Sequence, residues 1–591
     1  MTFTIILCYL ALLLFLGIFA GRMLKKSSGD FFLASRGIGP FMLLMSVFGT
    51  TMTAFALIGS TGKTFDKGIG VYGLMASWSG IIHAAIFFLI GAKVWALGKK
   101  HGYVTQLSYF RDRYRSDGLA LLLFPLVVCF VVLYILMGVI GAGRFIEKIT
   151  PETFSETEMV TTVPLALAAA PADLKIPDDW KDRVSIQGKT DKGEGGKLSV
   201  KGSLHPKRKG LFMKMSKAPE WKKAVGPLIA KAPRGAVPKW AGMAIVCLVV
   251  LFYVFFGGMR ATAWANTMQT LVFMVMGLIA FYVITKALGG AVAASENLLG
   301  DELKSSRMFR GVPPGKEKPL IEEWTFLTYC FIPLSVGMFP HLFQHWLTAK
   351  KASNFKLTVV AHPICILITW VPCVLLGMWA FGILPEGTKP NAVLGMMVAR
   401  YSGDVLAGLI GAGVLAAIMS SMDSQFLCLS SLFTNDIISH HVSKGKISDE
   451  KKILLGRGFV VAIVLVCYLI GLSNTQSVFD LGVWCFTGFA SLFPILFAAL
   501  YWKRSNKQGA IAGVLTVAGL WLYGLFAVLK GGEVLLKDLF PQSLHESLGA
   551  PGAMMPVAVI VTLATAVMVI VTLLTPPPED EIVDKFFPAK N

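Results

Sequence analysis

Along this chain, apolar blocks of about twenty residues alternate with short polar breaks. A helix that crosses a bilayer needs roughly 20 mostly apolar residues. Thirteen blocks meet that length: 4–24, 39–60, 72–97, 118–143, 239–257, 265–287, 323–345, 357–383, 404–431, 453–472, 477–500, 509–528 and 552–575. The pattern predicts an all-α polytopic membrane protein of 13 transmembrane helices, embedded in a lipid bilayer. It divides the chain into a first membrane part (1–149, four spans), an insert (150–238), a second membrane part (239–575, nine spans) and a tail (576–591).

The insert breaks the membrane pattern. It reads IPDDWKDRVSIQGKTDKGEGGKLSVKGSLHPKRKG at its centre, with alternating runs at Arg183–Ile186 and Lys197–Gly202 separated by glycines. Alternation of this kind predicts strands, so a small β-rich module is expected. It is either a solvated spacer or lid, or a contact for an extracytoplasmic partner.

Composition agrees with a membrane chain, at 55 % hydrophobic and 15 % charged residues. The net charge of +20 therefore does not point to nucleic acid. Much of it sits in short loops: Arg22, Lys25, Lys26 and Arg36; Lys99, Lys100, Arg111, Arg113 and Arg115; Lys350, Lys351 and Lys356; Lys503, Arg504 and Lys507. Such loops stay on the cytoplasmic side, which puts the N-terminus outside a cell (inner) membrane and the C-terminus in the cytoplasm. The positive charges follow the first apolar block instead of preceding it, so that block reads as a retained helix rather than a signal peptide. The nine cysteines all fall in apolar segments without a CxxC pair and read as small buried hydrophobes.

One span carries polar residues where lipid makes them costly. In 404–431, apolar and small residues run into Ser420-Ser421-Met422-Asp423-Ser424-Gln425 before apolar character resumes. Polar groups inside a span mark ion or substrate paths. Ala417 lies three and four residues before the two serines, so its carbonyl and their hydroxyls can face one point. That suits a small hard cation. The spacing is equally that of serines that bond back to the preceding turn and let helices pack closely.

AAIMSSMDSQFLCLSSLFTNDI resembles the signature of the sodium:solute symporter family, the sodium/glucose, sodium/proline and sodium/pantothenate type. FFLASRGIGPFMLLMSVFGTTMTAF is similar to its first core helix and the approach to it. FFGGMRATAWANTMQ and YWKRSNKQGAIAG are similar to two further family elements, in the same order. The resemblance implies a leucine-transporter-type fold of two inverted five-helix repeats, spans two to six and seven to eleven. The first helix of each repeat is unwound near mid-membrane. Gly49 in the first, and Pro333 with Gly337 in the second, offer places to break.

It also implies a function: sodium-coupled import of a small organic solute by alternating access, with no enzymatic activity. The implied sodium ligands are the carbonyls of Gly49, Met52 and Ala417 and the hydroxyls of Ser420 and Ser421, all formally uncharged. Expected solute contacts are Thr50, Thr53, Phe55, Ala56, Tyr134, Ser335 and Trp484. Asn266 stands where many relatives carry an acidic residue, and Thr51 where proline transporters of the family carry Asp, so one sodium per solute is expected. Asp423 either compensates or holds an inner gate through hydrogen bonds. The glutamate that sugar carriers place on the third span is missing from YGLMASWSGIIHAAIFFLIGAKVWAL. An amino acid, monocarboxylate or vitamin-like acid is thus favoured over a sugar. His341 and His345 lie one turn apart without a third ligand or a Glu between them, which reads as a gate contact rather than a zinc site. A transporter-like sensor that signals to a partner is the competing reading.

Overall fold

The computed structural model describes residues 1–591 except 23–27, 152, 155–159, 165–183, 188–196, 202–235, 300–304, 310, 314–316, 386, 474–475, 531–534, 540–551 and 589–591. The long helices are α1 (Thr2–Arg22), α2 (Pro40–Thr51), α3 (Ser60–Lys67), α4 (Trp78–Ile86), α5 (Asp117–Ile149), α6 (Lys239–Ala287), α7 (Pro340–Thr348), α8 (Phe355–Phe381), α9 (Asp404–Ser431), α10 (Asp449–Ser473), α11 (Val478–Tyr501), α12 (Lys507–Lys530) and α13 (Pro556–Leu574), with shorter pieces between them.

Among the described residues, ten helices are long and apolar enough to cross a membrane, or twelve when each of two bent pairs counts as one span. The two expected spans 239–257 and 265–287 both fall in α6. At 49 residues it is about 73 Å long, far more than one hydrocarbon core of about 30 Å. It breaks at Gly258, whose φ of 52° and ψ of −156° are foreign to a helix. A Cβ there would meet Phe31 O at 2.8 Å, so glycine answers both the backbone angle and the close approach.

The bent pairs are α2 with Phe55–Lys67, at 54°, and Glu323–Met338 with α7, at 51°. Both breaks fall a few residues beyond the expected places. In the first, α2 continues helically through Gly49 and ends at Met52, whose φ −91° and ψ 95° are extended. In the second, Pro333 lies inside the tight turn Tyr329–Leu334, and Phe339 carries the extended conformation (φ −62°, ψ 114°). Pro340 explains it: the residue before a proline is pushed out of the helical region, and proline suits the first position of the next helix.

The core lies where α6, α9, α2, α5 and α11 pack together, with α9 against both α6 and α2. Within the insert, β1 (Val160–Pro164), β2 (Val184–Gln187) and β3 (Lys197–Lys201) form an antiparallel sheet of order β1-β3-β2, with Val160 opposite Lys201 and Val184 opposite Val200. β2 and β3 fall in the two alternating runs, while β1 had no such signal. The rest of that segment lies outside the described residues. Its two ends meet at the membrane part, where the Val237 N–H donates to Thr150 Oγ1 at 3.1 Å.

The tail is anchored. Helix Asp580–Phe586 packs on Gln106–Tyr114, with Lys585 Nζ 2.6 Å from Asp112 Oδ2 and Phe586 buried against Tyr109. Arg115 pairs with Glu579 and Glu581. Burial by itself would raise the Asp112 carboxyl, but hydrogen bonds from Lys585 and Tyr103, and the charge of Lys585, outweigh it and hold the group below the usual carboxylate range. A depressed carboxyl stabilises docking above its unfolded value of about 3.9 and loses that contribution as pH falls through the lower folded value. The Asp112 contribution to tail docking is therefore constant from about pH 5 to 8, whereas Lys585→Ala exposes the tail at neutral pH. Limited proteolysis at the tail is expected to accelerate several-fold for that variant, and equal rates would count against the anchor.

Candidate functional site

The polar stretch of α9 is wholly enclosed: Ser420, Asp423 and Gln425 are 0 % exposed. Its neighbours are the ends and breaks of other helices. A Cβ on Gly49 would lie 2.1 Å from Thr270 Oγ1, so glycine lets α2 press against α6. Thr270 in turn donates to Met45 O at 2.9 Å. This close approach presents the Gly49 carbonyl to α9.

Ser420 Oγ lies 2.9 Å from Gly49 O and 3.0 Å from Ala417 O. Three oxygens from two helices thus converge, with the Ser420 hydroxyl able to donate to either carbonyl. Ser421 is turned to its own helix, donating to Ile418 O at 2.9 Å. Met52 is fully buried at the end of α2, its N–H bonded to Phe48 O at 3.0 Å. The structure therefore joins Gly49, Ala417 and Ser420 directly. It sets Ser421 on the same turn of α9 and Met52 at the break, without a hydrogen bond from either to those three.

Beside these oxygens runs a second network. Thr50 Oγ1 is 3.1 Å from Ser424 Oγ, and Ser424 Oγ is 3.0 Å from both His345 Nε2 and Asp423 Oδ1. Tyr253 donates to Asp423 Oδ2 at 3.0 Å, and Gln269 Nε2 reaches the Tyr253 hydroxyl at 3.4 Å. The Asn266 amide satisfies its surroundings with its oxygen toward Thr50 and Ser424 and its nitrogen toward Asp423, at 3.1 and 2.9 Å from the two carboxylate oxygens. Asp423 is thus held by a phenol, an amide and a hydroxyl, with no Lys or Arg partner among the described residues. The expected pair Asn266 and Asp423 meets directly. His345, Tyr253 and Gln269 join it without having been singled out for it. Gln269 closes the FFGGMRATAWANTMQ motif, so its position was the available signal.

The expected solute contacts divide. Thr50 belongs to the polar network. The Thr53 hydroxyl accepts the Phe55 N–H at 3.0 Å and so caps the break. Phe55 stacks on Phe479 at 4.9 Å and meets Phe486 edge-on at 5.0 Å. Tyr134 meets the same Phe486 at 5.2 Å, Phe339 at 5.3 Å and His341 at 5.5 Å. Phe55 and Tyr134 therefore share one aromatic box beside both helix breaks. Ala56 is buried on the same turn as Phe55, and Ser335 is buried one turn before Phe339, which donates its N–H to Ser335 O at 3.0 Å. Trp484 faces the other way, stacking on Trp521 at 6.1 Å. Phe486, two residues on and about 200° around the helix, takes the place expected of it. Near the box Lys63 Nζ lies 3.4 Å from Asp480 Oδ1 and 5.0 Å from the Phe479 ring, which ties α3 to α11. The cleft lined by Leu57, Phe273, Thr369, Cys373 and Val414 is mostly apolar and contains none of these polar groups.

The sequence profile of the sodium:solute symporter family matches residues 31–159 and 237–517. This chain belongs to that family. The match leaves out residues 160–236, most of the expected 150–238 insert. Among curated relatives, the osmoregulated proline transporter OpuE of Bacillus subtilis is 24 % identical over 292 residues, 48 % of this chain and 57 % of that one. An uncharacterized symporter of the same organism, YwcA, is 24 % identical over 286 residues, 47 % of this chain and 55 % of that one. The aligned stretch thus spans little more than half the length of these two. Sodium/proline symporter 2 of Staphylococcus saprophyticus aligns over 90 % of both chains at 21 % identity. A solved structure titled as the substrate-bound outward-open state of a Na+-coupled sialic acid symporter superposes over 98 % of both chains with a TM-score of 0.64 at 14 % identity. That likeness carries the fold, and with it the leucine-transporter-type architecture expected of the family.

Proposed function

We propose that this chain imports a small organic solute together with one sodium ion by alternating access. The observation that carries it is the Ser420 hydroxyl held between Gly49 O and Ala417 O, because it binds the bent α2 to α9 through oxygens alone. The proposed site comprises those three groups with the Met52 carbonyl and the Ser421 hydroxyl, the latter after turning from Ile418 O. A site without formal charge binds weakly and releases readily, unlike a cage of several carboxylates. Sodium replaces the hydroxyl proton as the bridge, draws the break around itself and favours the arrangement in which the aromatic box accepts solute.

The energetics are adequate. One charge falling through ~100 mV yields about 2.3 kcal/mol, and a tenfold sodium gradient adds about 1.4. Together these sustain a gradient of a few hundredfold for a solute without net charge, and about tenfold for a monoanion, whose charge cancels that of sodium. The solute is an amino acid, a monocarboxylate or a vitamin-like acid. Relatives named as proline transporters support the first. In this reading the four parts of the chain keep the bounds given above, the N-terminus and the 150–238 insert are extracytoplasmic, and the tail is cytoplasmic.

The test is uptake into proteoliposomes of radiolabelled amino acids, short-chain monocarboxylates, pantothenate and glucose, with an inward sodium or potassium gradient at equal pH on both sides. At least one acid is expected to accumulate under sodium and not under potassium. Equal uptake under both ions would remove the coupling.

A further inference from the structure

The second bent pair carries a histidine that the polar network around Ser424 leaves alone. His341 opens α7 just after the extended Phe339 and Pro340, and it is 1 % exposed. One turn on, His345 meets Ser424 through its Nε2. His341 has no such contact: among the described residues, neither of its ring nitrogens has a hydrogen-bond partner. Buried polar atoms are almost always paired, and leaving one unmet is costly. A ring with both nitrogens unmet, beside a helix break, calls for a partner from outside the chain.

The imidazole is part of the aromatic box. It stacks on Phe339 at 5.1 Å and lies edge-on to Tyr134 at 5.5 Å. Those two rings meet Phe486, at 5.5 and 5.2 Å, and Phe486 meets Phe55, just past the first break, at 5.0 Å. Both bent pairs, α5 and α11 thus contribute rings to one cluster with the imidazole. Aromatic walls with a few polar atoms are the usual make-up of a small-molecule site. Broken helices are where carriers of this architecture hold their cargo.

The unmet atoms specify that cargo. With no carboxylate paired to it, the ring is neutral. A neutral imidazole presents one N–H and one bare lone pair in either tautomer. The lone pair requires a donor. A plain monocarboxylate has none, and ring faces disfavour an anion because the face is the negative side of the quadrupole. An acid with hydroxyl or amide groups brings a donor but keeps its net negative charge. Lys63, over the neighbouring Phe479, is already paired with Asp480. An amino acid brings an ammonium, which donates, is attracted by ring faces and leaves the molecule without net charge.

We infer that His341 is a solute-binding residue whose imidazole lone pair accepts a hydrogen bond from the ammonium of the solute, so that the solute is an amino acid rather than a monocarboxylate or a vitamin-like acid. This rests on the sodium-coupled reading above and narrows its solute.

The test is sodium-driven uptake into proteoliposomes of the radiolabelled protein amino acids, propionate, pantothenate and glucose. At least one amino acid is expected to accumulate. Its N-acetyl and deaminated analogues are expected to compete at least ~30-fold more weakly than the amino acid itself. This comparison needs no variant. His341→Phe keeps a ring and removes both nitrogens; it is expected to raise the half-saturating concentration of that amino acid at least ~10-fold, with binding of radioactive sodium in the absence of solute unchanged. His341→Gln, which restores a donor and an acceptor, is expected to recover part of the loss. Analogues without an ammonium that compete as well as the amino acid overturn the inference, and so does a well-folded His341→Phe with wild-type half-saturation. Equal loss of sodium binding and solute affinity assigns His341 to the fold and overturns its binding role. Sodium-driven uptake confined to propionate, pantothenate or glucose overturns the amino acid and leaves the sodium coupling standing. No sodium-driven uptake of any probe sinks both.

Discussion

Ser420→Ala is expected to shift sodium stimulation of uptake to far higher sodium concentrations. The hydroxyl is the only group within hydrogen-bond distance of both Gly49 O and Ala417 O among the described contacts. Alanine leaves the two carbonyls facing one another with neither a proton nor a ligand oxygen between them. The fold loses little, since one neutral hydrogen bond contributes about 1 kcal/mol. Sodium loses a direct ligand, which costs about 2–3 kcal/mol, roughly 30- to 150-fold in apparent affinity. Ser421→Ala has the same sign, and the double variant removes stimulation at any attainable sodium concentration. The comparison is made on protein of unchanged thermal stability, with uptake measured against sodium concentration. A well-folded double variant with wild-type sodium dependence would remove the site.

Asp423→Ala produces the second large effect, and here on stability. The carboxylate is 0 % exposed and accepts from Tyr253, Ser424 and Asn266. Its removal leaves the Tyr253 hydroxyl without its acceptor, takes one acceptor each from Ser424 and Asn266, and opens a void in the middle of the bundle. Breaking a buried polar cluster from one side costs about 3–5 kcal/mol. The expected result is a drop in unfolding temperature of many degrees and poor recovery from the membrane. Asp423→Asn keeps the shape and one acceptor, and is expected to restore more than half of the lost stability. Thermal unfolding of the detergent-solubilised chain measures both. An unfolding temperature for Asp423→Ala within about 2 °C of wild type would show that the network carries no structural weight.

How much of this was legible beforehand varies by element. The spans were plain because lipid tolerates only long apolar helices, and even the double pass of α6 appears as two apolar blocks around Gly257-Gly258. The pairing of Gly49 with Ser420 was reachable through family motifs, though nothing in the spacing relates residues 371 positions apart. Side-chain direction was less accessible. Trp484 and Phe486 are both aromatics on one apolar helix, and only the packing of α12 against it turns Trp484 to Trp521 and leaves Phe486 to the box. The breaks were a few residues out for a similar reason. Gly49 permits a break, but its missing side chain serves contact with Thr270 instead, and the backbone yields at Met52.

By itself, the order of apolar and polar residues determined the membrane class, the long apolar helices and the costly hydroxyls and carboxylate of α9, because each follows from how lipid treats a residue whatever its neighbours. Tertiary packing alone decided that Asp423 is shared by Tyr253, Asn266 and Ser424, and that Lys585 pins the tail to Asp112. Those are meetings between distant segments, fixed by the angles at which bent helices cross, and no local preference in the chain encodes them.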